Sequence, residues 1–233
     1  MEQILTPLNH REIEYNARRL SGDNIPDSFL YQGEAAKMLF DWISQTGSKV
    51  FDDDLIMDYG TDCLRLYLLF ENTPKENDAP FYESWNEGAL EGMYKFLGRY
   101  RRMILAASAW NRQGNYSAVT RESLDTMHCA LERARQKIEK CIRRGNTMPN
   151  RHNIVSALME LLNVLQEELK IGELVNKVRK HAIDAAVPKK EHDNETNVCA
   201  GGNEAVTQIC RDFVILMAPI ACDLSKLLWI EIG

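Results

Sequence analysis

YGTDCLRLYLLFENTPKENDAPFYESWNEGALEGMYKFLGRY, residues 59–100, decides how the rest of the chain is read. Leu64, Tyr67 and Leu68 fall at i, i+3 and i+4, so the segment through Phe70 is expected to be a helix with one buried face. Thr61 or Asp62 is the expected cap of that helix. Asp53 to Tyr59 reads as a short helix before it, which Asp52 could cap and which Gly60 closes as the C′ residue. ENTPKENDAPF carries two prolines and reads as a loop. A long helix is expected over 84–110, with Gly88, Gly92 and Phe96 four apart on one face. Two glycines inside a helix cost ~1 kcal/mol each relative to alanine, which predicts a compensating close approach by another helix.

The same helical periodicity runs through the rest of the chain. Helices are expected over 11–20, 33–44, 151–169, 171–187, 204–217 and 220–232, the last two split at Pro219. The clearest amphipathic pattern lies over 120–144, where Leu124, Met127, Leu131, Ala134, Ile138 and Cys141 keep a three/four spacing. PKKEHDNETNVCAGGN (188–203) reads as a loop. Strand signals are scarce and no internal repeat is visible. The expected fold is all-α, an antiparallel helical bundle over 50–233 preceded by an N-terminal helical arm over 1–49.

The 233 residues are 45% hydrophobic, enough for a sizeable core. A net charge of −6 means that any nucleic-acid contact must come from local basic patches. Six cysteines, at 63, 129, 141, 199, 210 and 222, form no C-x-x-C pair, so neither a zinc ribbon nor a redox motif is indicated. The first twenty residues hold no apolar signal region, and no apolar run is long enough to span a bilayer; reduced thiols and a cytoplasmic location are expected. Asp52, Asp53 and Asp54 suit the first turn of a helix at least as well as a metal. His152 is a lone histidine on a helix, and no cofactor or metal is expected.

G-T-D-C-L-R (60–65) followed by W-N-E-G-A-L-E-G-M-Y-K-F-L-G-R (85–99) resembles the segment that follows the signature loop of leucyl-tRNA synthetases, a class I aminoacyl-tRNA synthetase family. SALMELLN (156–163) is similar to a Ser-Ala-Leu-Met-Glu-Phe helix of that family. LMAPIACDLSKLLWIEIG (216–233) resembles its C-terminal Leu-Ala-Pro-Phe-Ala-Pro-His pattern, with Cys222 and Asp223 in place of the Pro and His. Arg151, His152 and Asn153 replace a Phe-Asn-Thr. The resemblance implies a helical anticodon-binding domain that lies along tRNA, recognised by shape and phosphate contacts. The basic residues it offers are Arg99, Arg101 and Arg102, then Arg143 and Arg144, then Lys177, Arg179 and Lys180. Each is also explicable as a solvated helix-end cation.

The catalytic half does not follow. Aligned without a gap, the Lys-Met-Ser-Lys-Ser loop falls on Asp41, Trp42, Ile43, Ser44 and Gln45, so its two lysines become Asp41 and Ser44. Those ammonium groups stabilise charge growing on the α-phosphate, and an aspartate would repel it. No His-x-Gly-His and no βαβ run occurs. The expected function is therefore non-catalytic binding of tRNA or another structured RNA. The alternatives are the tRNA-binding part of a leucine–tRNA ligase whose catalytic half is a separate chain, and a divergent protein–protein adaptor.

Overall fold

The computed structural model describes residues 11, 13, 38, 39, 41, 43, 53–70, 86–112, 119–142, 151–173 and 200–232. Among these the fold is all-α, with seven helices: α1 (Asp53–Tyr59), α2 (Thr61–Phe70), α3 (Glu87–Arg112), α4 (Arg121–Ile142), α5 (His152–Glu168), α6 (Ala200–Met217) and α7 (Cys222–Ile232). Arg11, Ile13, Met38, Leu39, Asp41 and Ile43 are also helical. Ile13, Leu39 and Ile43 are buried in the same apolar cluster as the bundle, so the N-terminal segment contributes to one core.

Gly60 ends α1 at φ 79°, its N–H donating to Ile56 O at 3.0 Å. That left-handed conformation is open to glycine without a Cβ clash, and it lets α2 start at the next residue. α2 is the centre of the bundle. Cys63, Leu64, Leu66, Tyr67, Leu68 and Leu69 are all buried, so its apolar surface runs beyond the single expected face. Each such side chain contributes roughly 1.5–3 kcal/mol through burial. α2 packs on α3 and α5.

Side chains from α2 fix where its neighbours begin. The Tyr67 hydroxyl accepts from the Asn86 N–H at 3.1 Å, and Asn86 Oδ1 accepts from the Ala89 N–H at 3.1 Å. Asn86 is thus the N-cap of α3, which starts three residues later than the periodicity indicates. Thr120 caps α4 in the same way, its Oγ1 accepting from Ser123 N–H at 3.1 Å. α4 and α5 form the most extensively packed pair. On α4 the expected stripe is buried from Met127 to Cys141, while Leu124 is half-buried.

α6 begins at Ala200, inside the stretch read as a loop, and runs through Gly201 and Gly202. A tight turn around Pro219 then reverses the chain, with Ile220 and Ala221 N–H donating to Met217 O at 2.9 Å each. α7 returns against α6 and α3. Tyr100 of α3 meets Phe213 of α6 edge-on, ring centroids 5.0 Å apart. Ser108 Oγ donates to Glu231 O at 2.6 Å and so satisfies a carbonyl in the last turn of α7.

One expectation is corrected. Gly88 is exposed and Gly92 half-buried; a Cβ at Gly92 would meet nothing within 4 Å, and one at Gly88 would meet its own neighbour Asn86 at 3.4 Å. Among the described residues, then, no helix closes on that glycine face. Of the helix expected over 171–187, residues 171–173 form one helical turn and the remainder lies outside the described residues. Asp52 also lies outside them.

Candidate nucleic-acid interface

The Gly-Thr-Asp-Cys-Leu-Arg segment builds a polar latch across the bundle. Asp62 does not cap its own helix, where Leu64 N–H finds Gly60 O at 3.2 Å. Its carboxylate caps α7 instead. Oδ2 accepts from Leu224 N–H at 2.8 Å and Oδ1 from Asp223 N–H at 3.3 Å. Anionic oxygen at a helix N-terminus satisfies orphan donors and complements the macrodipole. Arg65, one turn on, donates from Nη1 to Asp62 Oδ1 at 3.0 Å and to Cys222 Sγ at 2.7 Å, with Asp223 Oδ2 at 4.0 Å.

The latch is a cluster of ionisable groups removed from water. Burial, with Asp223 beside it, pushes the Asp62 carboxyl up to about 6, against the pull of Arg65 and the two backbone N–H donors. Burial also works against the charge on Arg65, but the Asp62 and Asp223 carboxylates favour it, and its pKa is raised. The Cys222 thiol is pushed up to about 12 by burial, so its sulfur faces the guanidinium as a neutral acceptor. Ligand atoms of Asp62, Cys222 and Asp223 lie within 4.8 Å of one another, a spacing that could hold a metal ion. The positive charge at their centre is the Arg65 guanidinium, and both Asp62 oxygens are already engaged. The five described cysteines, 63, 129, 141, 210 and 222, are free thiols.

A second polar seam joins α3 to α5. Arg99 donates from Nε and Nη2 to Gln166 Oε1 at 3.2 and 2.5 Å, and from Nη2 to Asn163 Oδ1 at 2.5 Å. Arg101 and Arg102 are half-buried on α3, and Arg102 Nη1 lies 3.6 Å from where a Cβ on Gly98 would sit. Thus the first basic group is on one helix, with Arg99 tied to its neighbour. Arg143, Arg144, Lys177, Arg179 and Lys180 lie outside the described residues.

Arg151, which stands where the family pattern has Phe, is buried, and its Nε donates to Leu68 O at 3.2 Å. It caps the C-terminal turn of α2. Burial lowers its pKa. His152 is half-buried at the start of α5, and Asp41 is helical and exposed. Asn163 and Gln166 were missed because nothing marks an Asn and a Gln three apart until the helix facing them is known. No described helix is long and apolar enough to cross a membrane.

Together these features define an all-α bundle closed by a buried Asp–Arg latch. Its sequence is related to leucine–tRNA ligases. The chain is 29% identical over 194 residues to the leucine–tRNA ligase of Petrotoga mobilis, covering 80% of this chain and 19% of that protein. It is 25% identical over 224 residues to that of Pseudothermotoga lettingae, covering 95% and 23%. With that of Coxiella burnetii it shares 30% over 129 residues, covering 51% and 14%. The chain therefore spans about a fifth of the length of the first two relatives. No protein-family profile matches it, and no solved structure matches it.

Proposed function

We propose that the chain is a tRNA-binding helical bundle of the anticodon-binding kind, and that it does not activate leucine on its own. The observation that carries the reading is the extent of the similarity, which reaches 95% of this chain against one leucine–tRNA ligase. Arg99, Arg101 and Arg102 supply cations on α3, with Arg143, Arg144, Lys177, Arg179 and Lys180 as further contacts. Absence of adenylation is supported by the aspartate and serine at positions 41 and 44, where the signature-loop lysines align.

Electrophoretic shift with total tRNA at two salt concentrations tests the binding. Phosphate contacts release counterions, so affinity should fall steeply as salt rises. No shift at the lower salt sinks the proposal and leaves the adaptor reading. Leucine-dependent pyrophosphate exchange by the purified chain tests the second half; any exchange above background refutes it.

A further inference from the structure

The seam between α3 and α5 is made of groups that donate. A guanidinium carries five N–H donors and accepts nothing. Arg99 therefore dictates how the two amides facing it are oriented: Gln166 Oε1 and Asn163 Oδ1 turn toward it. Amide orientation is ordinarily a matter of assignment, but here a flip would set N–H against N–H. Both NH2 groups are left on the side away from Arg99, and no described residue accepts from either. Asn163 is exposed, and Gln166 and Arg99 are half-buried, so solvent reaches the strip.

Charge along the strip is mixed: Arg99 and Arg102 lie on α3, and the exposed Glu167 lies on α5. Arg102 follows Arg99 by one turn of α3 and Lys95 precedes it by one. Glu91 is paired with Lys95 at 2.8 Å, and Glu160, one turn before Asn163 on α5, with Lys137 at 2.5 Å. Glu167, one turn past Asn163, bounds the strip at its C-terminal end. Neutral amide donors beside a fixed cation suit an acceptor-only ligand carrying negative charge. Phosphodiester oxygens have that chemistry, and backbone contacts of this kind come from Asn and Gln as well as from Arg.

We infer that Asn163 and Gln166 donate through Nδ2 and Nε2 to RNA backbone oxygens, while Arg99 positions both amides and supplies the charge. The inference rests on the tRNA-binding reading above and names its contact strip. An isosteric exchange separates this role from that of a helix clamp. In Asn163→Asp/Gln166→Glu the carboxylates keep their acceptors toward Arg99, and the bonds become charge-assisted. The outward donors are replaced by repelling oxygens.

The full-length variant should unfold in urea at the wild-type midpoint or above it. Hydrogen bonds to charged groups are strong enough that its binding to total tRNA should weaken about tenfold or more. Asn153→Asp/Ser156→Asp adds the same two charges at exposed positions near the start of α5 and should stay within about twofold of wild type at moderate salt. Unchanged binding by the isosteric variant overturns the inference, as does an equal loss in the control, which would make net charge the whole effect. Wild-type protein that binds no tRNA removes the tRNA reading and this inference with it. Wild-type binding that survives the exchange removes this inference alone.

Discussion

Asp62→Ala is the substitution with the largest expected effect on the fold, because one carboxylate serves three donors. The first loss is the cap of α7. Leu224 N–H, buried and bonded at 2.8 Å, and Asp223 N–H, at 3.3 Å, both lose their acceptor. N-cap removal costs about 1 kcal/mol, and up to about 2 where the site is buried. The second loss is the partner of Arg65, whose side chain is only 16% exposed. Breaking a buried pair from one side costs about 3–5 kcal/mol, since a charge is left uncompensated. Two features soften that figure: Asp223 Oδ2 at 4.0 Å can move in, and Arg65 keeps some contact with water. A total of about 3 kcal/mol follows, a large part of the 5–15 kcal/mol typical of a folded domain.

Urea unfolding followed by far-UV circular dichroism measures the loss. Adding Arg65→Met to Asp62→Ala should recover stability, because the stranded charge goes and only the cap is missing. The recovery distinguishes the charge from the cap. A loss below about 1 kcal/mol for Asp62→Ala would refute the reasoning, as would a double variant as unstable as the two single losses added together.

The remaining predictions concern the same helices. With its pKa raised to about 6, folded Asp62 holds a proton more tightly than the unfolded chain does. Its contribution is fully present below the ordinary 3.8 and fades as pH rises through about 6. The stability advantage of wild type over Asp62→Asn should therefore shrink between about pH 4 and about pH 7.5; an advantage that grows with pH contradicts the raised value. Gly92→Ala should raise the thermal midpoint, by about 1 kcal/mol in stability, since no described atom lies within 4 Å of the new Cβ. Lys170 sits at φ 48° as the C′ residue of α5, its N–H donating to Glu167 O at 3.0 Å. Lys170→Gly should gain about 1 kcal/mol by removing left-handed strain, read as a higher urea midpoint. The buried hydroxyls of Tyr100 and Ser225 lie close to one another, and neither has a well-formed hydrogen bond to another described group. Tyr100→Phe should change stability by no more than about 1 kcal/mol; a larger loss means that its hydroxyl is hydrogen-bonded to Ser225.

Helix identity was legible because apolar spacing persists over many turns. Asp53–Tyr59 and Thr61–Phe70 follow directly from an acidic first turn, a glycine and a run of leucines. The start of α3 was not legible, because Asn86 is selected as its cap by a hydroxyl from another helix. Asp62 was read as a local cap because acidic residues near a helix start usually are. Its partner is instead a helix start some 160 residues away, and no local pattern encodes that. The glycines of α3 misled in the opposite direction. Their cost implied a compensating neighbour, yet Gly92 faces open space among the described atoms.

The motif residues on which the family resemblance was read are structural. Gly60 supplies a left-handed turn, Asp62 caps α7, and Arg65 neutralises Asp62. Any protein that keeps this bundle has reason to keep them, whether or not it touches RNA. Resemblance at these positions therefore bears on descent and fold more directly than on activity. A test of activity must use groups that the fold does not require. The outward NH2 groups of Asn163 and Gln166 meet that condition, because a carboxylate of the same shape can hold Arg99 equally well. They can be changed with the helices left in place, and only a ligand would register the difference.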